Sequence, residues 1–402
     1  MLNFKKLVAL LVVIALVITA ATCAPAPAEK EYIKIGHLGL LSGAGAVAGR
    51  PILDGALLAV NEINEQGGVL GRKLVLISRD DGGRPEESVR MARELVLREG
   101  AQFIQGPFTD ACNMSVSQVG KELKTIVFPY VAKTHRLLAP ENFHPYIFQP
   151  STNTIYEAGV AALYIAQHKE WKTIYAISPD YEYGRMQTGS FVDWISKLRP
   201  DMQIEQAWPP LFETDYTPYI TKIVESAPDV LFVVQWGGDF IALMKQAAEF
   251  KVFDKVKFVA TVGENGSNEA AIALGKDYPE SVYANAMDLC YWPDTPEHKA
   301  YIEALRNLTG DPYPAGNSIQ GYIGIQLLAA AIEKAGTTET EAVIKALEGL
   351  TIDTPLGAMT MGKDHQLQRG QIFGFTKWTP DYPFVVLDQP ELVPFDEVVK
   401  QW

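Results

Sequence analysis

The chain has 402 residues, 48% of them apolar and 21% charged, with a formal net charge of −13. That is the make-up of a globular protein with a sizeable core. An acidic surface with no basic cluster repels phosphate backbones and argues against a nucleic-acid partner.

Lys5 and Lys6 precede an unbroken apolar run, Leu7 to Ile18, and then small residues. This is the layout of an export signal. The run is too short for a membrane-spanning helix, which needs roughly 20 apolar residues. Two processing routes are open. Ala26-Pro27-Ala28 suits an ordinary signal peptidase, placing the signal at 1–28. Ala20-Ala21-Thr22-Cys23 resembles a bacterial lipoprotein box, in which Cys23 is lipidated. Either route predicts a periplasmic or extracytoplasmic protein, membrane-anchored in the second case. Losing Lys5 and Lys6 takes the net charge to −13 − 2 = −15. The remaining ~374 residues exceed what one hydrophobic core supports, so two lobes are expected.

The mature sequence alternates short β-like runs with helical periods. Strands are predicted at 32–38, 73–79, 102–105 and 125–128. The first helix carries Leu53, Ala56, Leu57 and Val60 on one side and Asp54, Asn61, Glu62 and Glu65 on the other. Pro85 opens a second helix, with Glu86 and Glu87 in its first turn, where the macrodipole favours acids. The pattern restarts with strands at 172–178, 202–207, 229–234 and 257–261 and helices at 183–198, 216–226 and 238–250. Helices follow at 297–309, 318–335 and 340–350. The tail carries β-like runs at 372–378 and 383–387. Repeated β-α-β means parallel sheets covered by helices, here in two α/β units of four or five strands.

The glycine-rich loop after the first strand, Gly43-Ala44-Gly45 to Gly49, lacks the lysine of a phosphate-binding loop. Its glycines are one residue too widely spaced for a dinucleotide fingerprint. Glycines there permit a tight turn, or let backbone and a helix start approach a ligand at the carboxyl end of a parallel sheet. The six histidines share no metal-ligand spacing, and neither G-x-S-x-G nor HExxH occurs. No metal, cofactor or catalytic group is implied. Cys112 and Cys290, far apart and outside any CxxC or Cys/His spacing, read as buried free thiols.

The segment from "IKIGHLGLLSGAGAVAGRPILDG" through "RDDGGRPEESVR" resembles the start of the leucine/isoleucine/valine-binding proteins, substrate-binding subunits of bacterial ABC importers. "DYEYG" (180–184), "DVLFVVQWGGDF", "TVGENGSNEAA" and "GNSIQGYIGIQLL" continue the resemblance in order over residues 31–380. It implies a type I periplasmic binding protein: two Rossmann-like lobes joined by three hinge crossovers, with the ligand between them. The crossovers would fall near Pro150, Met287 and Pro355. The N-terminal lobe is then 31–150 plus 288–355 and the C-terminal lobe 151–287 plus 356–402.

The resemblance also implies site residues. In "GPFTDACN", Thr109 would offer a hydroxyl and Ala111 a backbone N–H to a ligand carboxylate. Asp110 stands where a serine is usual, so it either turns away as a helix cap or marks a ligand that is not a simple carboxylate. In "YVAKTHR", Ala132 and Thr134 take ligand-contact positions. Tyr183 would close over the ligand, Trp236 would supply an aromatic face, and Glu264 would pair with an α-ammonium group. Phe108 and Tyr130 line the first-lobe side. The implied protein is a monomer that captures a small solute by hinge closure and presents it to ABC permease subunits. A branched-chain or other apolar amino acid is the expected solute. An aromatic acid, an amide or urea are the alternatives, as are a sensor for a separate signalling chain and an exported α/β enzyme.

Overall fold

The structure, a computed structural model, describes residues 32–402; the export signal and Cys23 lie outside them. The first lobe begins with β1 (Tyr32–Gly39), α1 (Ala46–Glu65), β2 (Lys73–Asp80), α2 (Pro85–Leu97), β3 (Phe103–Gln105), α3 (Asp110–Leu123) and β4 (Ile126–Phe128), its four strands where the sequence puts them. Its sheet runs β2-β1-β3-β4, with β1 on β3 and β3 on β4 in parallel.

The second run comprises α4 (Thr154–Gln167), β5 (Thr173–Ile177), α5 (Glu182–Leu198), β6 (Gln203–Ala207), α6 (Thr217–Ser226), β7 (Val230–Val233), α7 (Gly237–Glu249), β8 (Phe258–Thr261), α8 (Asn268–Leu274) and β9 (Tyr283–Ala286). After it come α9 (Pro296–Thr309), α10 (Ser318–Ala335) and α11 (Thr340–Leu347). The chain ends with β10 (Thr351–Thr354), β11 (Gly357–Met361), β12 (Leu367–Gln368), β13 (Gln371–Lys377), β14 (Val386–Val393) and α12 (Phe395–Val399). The second sheet has seven strands, β14-β13-β9-β8-β7-β5-β6. Strands β9, β8, β7, β5 and β6 are parallel and the two tail strands antiparallel. The tail runs thus extend an existing sheet, because β9 would otherwise be an open edge.

Strands β7 and β8 are buried along their whole length, as expected of parallel strands covered on both faces. Cys112 and Cys290 are free and buried, and burial pushes their thiols up to about 11 and about 12. No helix among the described residues is long and apolar enough to cross a membrane.

Strands β10-β11-β12 form a third, antiparallel sheet. The chain passes into or out of the seven-stranded sheet three times: after β4, after β9 and between β12 and β13. The third passage is 369–370, not Pro355. Pro355 instead turns the β10–β11 hairpin, where Thr354 pairs with Gly357. A proline before a glycine marks a turn equally well in a hairpin or a crossover. The passages are tied together: the Gln149 N–H donates to His365 O at 2.8 Å, the Leu367 N–H to Gln149 O at 2.9 Å, and Arg369 to Met287 O at 3.1 Å.

Helix α10 packs along α1 through glycines on both sides. A Cβ on Gly55 would fall on the carbonyl oxygen of Ser318, and one on Gly321 on that of Ile52. The obstacle in each case is backbone, so no rotamer change relieves it. Gly321→Val is therefore expected to lower the unfolding free energy by about 2–3 kcal/mol, the upper range for overpacking, in guanidinium titrations; a loss under about 0.5 kcal/mol would contradict this packing.

Candidate functional site

The carboxyl ends of β3 and β4 face those of β5, β7 and β8 across a cleft, the place where open parallel sheets bind ligands. The cleft holds about 630 Å³, counted to its open mouth. Phe108, Asp110, Val131 and Lys133 line it from the first lobe, with Val47 and Ala48 at the start of α1 and Asn317 at the start of α10. Tyr181, Tyr183, Trp236, Glu264 and Glu269 line it from the second.

One wall is aromatic. The Phe108 and Trp236 rings meet across the cleft at 5.2 Å and 41°. Trp236 Nε1–H donates to the Tyr181 hydroxyl at 2.9 Å, and Phe212 stands edge-on behind Trp236 at 6.0 Å. Tyr183 is 3% exposed, and its hydroxyl has no partner among the described residues. Burial raises its pKa well above the usual tyrosine value.

The floor is ionic. Lys133 Nζ, 3% exposed, donates to Glu157, to Glu264 Oε1 at 2.5 Å and to Thr152 Oγ1 at 3.0 Å. Gln371 Nε2 donates to both oxygens of Glu264, at 2.8 and 3.0 Å. Burial raises the Glu264 pKa; Lys133 pulls it back and Glu157 pushes it further up. Glu264 also carries a left-handed backbone, φ 67°, a conformation a non-glycine residue holds only when its surroundings impose it. Its N–H donates to Asn285 Oδ1 at 3.0 Å, so both ends of the residue are fixed. The carboxylate that the resemblance sets against a ligand ammonium thus already has an internal cation.

Asp110 likewise departs from expectation. The N-cap of α3 is Thr109, whose hydroxyl accepts from the Cys112 N–H at 3.4 Å. The Asp110 carboxyl turns to the loop after β4 instead, accepting the N–H groups of Lys133 at 2.8 Å and Thr134 at 3.1 Å.

With this geometry in view, likeness to known proteins is informative. The description of periplasmic binding proteins matches residues 32–379. The chain belongs to the periplasmic binding protein family. The Leu/Ile/Val-binding protein BraC3 of Rhizobium johnstonii is 29% identical over 364 residues, spanning 89% of this chain and 95% of that protein. An ABC transporter substrate-binding protein from Sphaerobacter thermophilus superposes with a TM-score of 0.79 at 22% identity, covering 90% of this chain and 98% of its own. A solute-binding protein of an ABC transporter from Rhodopseudomonas palustris BisB5, solved with 3,4-dihydroxybenzoic acid, gives 0.80 at 20% identity, covering 91% and 98%. Family and fold are those of solute-binding proteins, not enzymes.

Of the residues expected at the site of this binding protein, Phe108, Asp110, Tyr183, Trp236 and Glu264 line the cleft. Thr109, Ala111, Ala132, Thr134 and Tyr130 do not. Thr109 caps its helix, and the Ala111 carbonyl accepts from the Ser115 hydroxyl. Ala132 is fully buried, its carbonyl held by Gln149 and Ser151. Thr134 donates its hydroxyl to Glu182 at 2.8 Å, joining the lobes, and Tyr130 packs on His37 at 5.0 Å. The error in "YVAKTHR" is one of parity. Lining residues alternate, so Val131 and Lys133 face the cleft while Tyr130, Ala132 and Thr134 face the protein. Lys133, Tyr181, Glu269 and Asn317 were not anticipated. A lysine between two expected contacts was the one available signal.

Burial pushes Asp110 up to about 7, against the pull of the Lys133 and Thr134 N–H groups and with the push of Glu182. The folded protein therefore holds this proton where the unfolded chain, titrating near 4, has lost it. The contribution of Asp110 to stability is greatest below about pH 4, falls as pH rises to about 7, and is flat above. Asp110→Asn should remove that slope. In urea titrations at pH 4, 5.5, 7 and 8, the variant should gain on the parent by on the order of 2–4 kcal/mol across the window; a pH-independent difference would mean that Asp110 titrates as an ordinary aspartate.

Proposed function

We propose that this chain is the extracytoplasmic substrate-binding subunit of an ABC importer, and that its solute is an amino acid with an apolar or aromatic side chain. The carrying observation is a cleft between two lobes with an aromatic wall and an excess of carboxyls. The wall of Phe108, Trp236 and Tyr181 offers dispersion and apolar contact to a side chain. Lys133 is the one cation lining the cleft among the described residues, against Asp110, Glu264 and Glu269. Burial raises the pKa of all three acids, so a solute that brings its own positive charge would favour their ionised forms, as a lone organic anion would not. Helix α7 starts with no side-chain cap at Trp236, so its first N–H groups are placed to meet the carboxylate of such a solute. The name of the Rhizobium relative supports the same class.

One observation favours an aromatic acid as a second reading: Lys133 already occupies Glu264, the carboxylate that a ligand ammonium was expected to meet. The dihydroxybenzoate complex of the structural neighbour agrees with it.

Capture follows from closure. Phe108 against Trp236, Lys133 on Glu264, and Thr134 and Arg136 on Glu182 all bridge the lobes. A solute touching both walls adds its differential affinity to these contacts and stabilises the shut form by that amount. The shut form would then dock on membrane permease subunits. A dissociation constant near 1 μM corresponds to about 8 kcal/mol.

A thermal-shift panel followed by calorimetry tests this. L-leucine, L-isoleucine, L-valine or L-phenylalanine should raise the melting temperature and bind with negative heat-capacity change, while benzoate, 4-hydroxybenzoate and urea should not. Trp236→Ala should weaken the best amino acid by at least about tenfold, the loss expected on truncating a buried aromatic contact. Benzoate binding more tightly than every amino acid would reverse the assignment.

A further inference from the structure

Glu269 is the acid of the cleft with no ion pair among the described residues, and burial pushes its pKa up to about 7. It follows Asn268 at the start of α8 and lines the cleft near Asn317. Its Oε2 accepts the Gly316 N–H at 3.1 Å, and the N–H of Asn317 also acts on the carboxyl. Its Oε1 is buried and has no partner among the described residues. The bracing loop leads into α10, which packs on α1 in the first lobe, whereas Glu269 follows β8 of the second. Asn268 strengthens the same junction, its Nδ2 donating to Tyr313 O at 2.8 Å and Pro314 O at 3.1 Å. Glu269 is thus aimed by backbone of the opposite lobe.

The two other carboxyls lining the cleft are committed. Glu264 is occupied by Lys133 and Gln371, and Asp110 by the N–H groups of Lys133 and Thr134. A second polar atom in the cleft also lacks a partner: the hydroxyl of Tyr183, on a side chain that is 3% exposed. An acceptor oxygen and a hydroxyl, both buried and both on residues that line the same aromatic-walled cleft, make an unmatched pair. An amino acid completes it, its ammonium donating to the carboxylate and its carboxylate accepting from the hydroxyl.

We propose that Glu269, and not Glu264, receives the ammonium group of the solute, with the Tyr183 hydroxyl on its carboxylate. This rests on the amino-acid reading above and names the residue that selects for the amine. Because Oε2 is held by the first lobe, the acceptor is presented in register only where residues 316–317 meet α8. Recognition of the amine and contact between the lobes are therefore one event.

Calorimetry on the full mature chain separates the two claims, using L-leucine and L-phenylalanine and the corresponding 2-hydroxy acids, in which hydroxyl replaces amine. Glu269→Gln keeps an acceptor for the Gly316 N–H and removes the charge. It should weaken the amino acids by about 30-fold or more, the scale of one charge-assisted bond, and the hydroxy acids by less than about threefold. Glu264→Gln should not discriminate between amine and hydroxyl. Glu269→Asp, which keeps the charge but withdraws it by one methylene, should fall between parent and Gln. The ligand-free melting temperature of each variant reports folding, and should Gln fail to fold, the Asp variant carries the comparison. If leucine or phenylalanine binds the parent and the Gln variant within about threefold, the Glu269 assignment is overturned and the amino-acid reading stands. If neither binds the parent, both are overturned.

Discussion

The site is organised around one buried ammonium group. Lys133 comes from the loop after β4, Glu157 from α4 and Glu264 from the loop after β8, and their charged ends converge at the base of the cleft. Removing one member of such a buried set leaves an uncompensated charge and costs about 3–5 kcal/mol, far more than an exposed pair is worth. The same interaction explains the backbone of Glu264. A left-handed glutamate costs about 1–3 kcal/mol, and it persists because Asn285 holds its N–H while Lys133 and Gln371 hold its carboxylate.

That cluster also changes what the cleft can recognise. With Lys133 on Glu264, the protein supplies internally the cation that a ligand would otherwise bring. The selective work then moves to groups whose valences are open, the aromatic wall, the Tyr183 hydroxyl and Glu269. Most of the lining is apolar surface, which sets size and shape, and the few polar atoms set orientation.

Much of the fold was legible before any coordinates, since short continuous apolar runs alternating with helical 3.6-residue periods are the signal of parallel α/β sequences. Helix α10 was placed to the residue, and the two sheets from their apolar runs. The tail was harder. Strands β10 to β12 are short, partly exposed and rich in turn residues, so Pro355 looked like a crossover when it turns a hairpin. In the site, large residues in distinctive settings were legible: Phe108, Tyr183 and Trp236. What failed was direction. Whether Ala132 or Lys133 faces the cleft depends on which parity the loop adopts after β4, and that is fixed by bonds from Gln149, Ser151 and Asp110, far off in sequence. Glu269 was invisible for a similar reason, because the backbone that aims it lies 47 residues away.

The account depends on the solute lying between the two lobes. A crystal structure of the protein with its tightest-binding solute tests this most directly. It should show the solute in the cleft against the rings of Phe108 and Trp236, with a polar atom within about 3 Å of the Tyr183 hydroxyl. A solute seated outside that cleft, with the Tyr183 hydroxyl untouched, would contradict it.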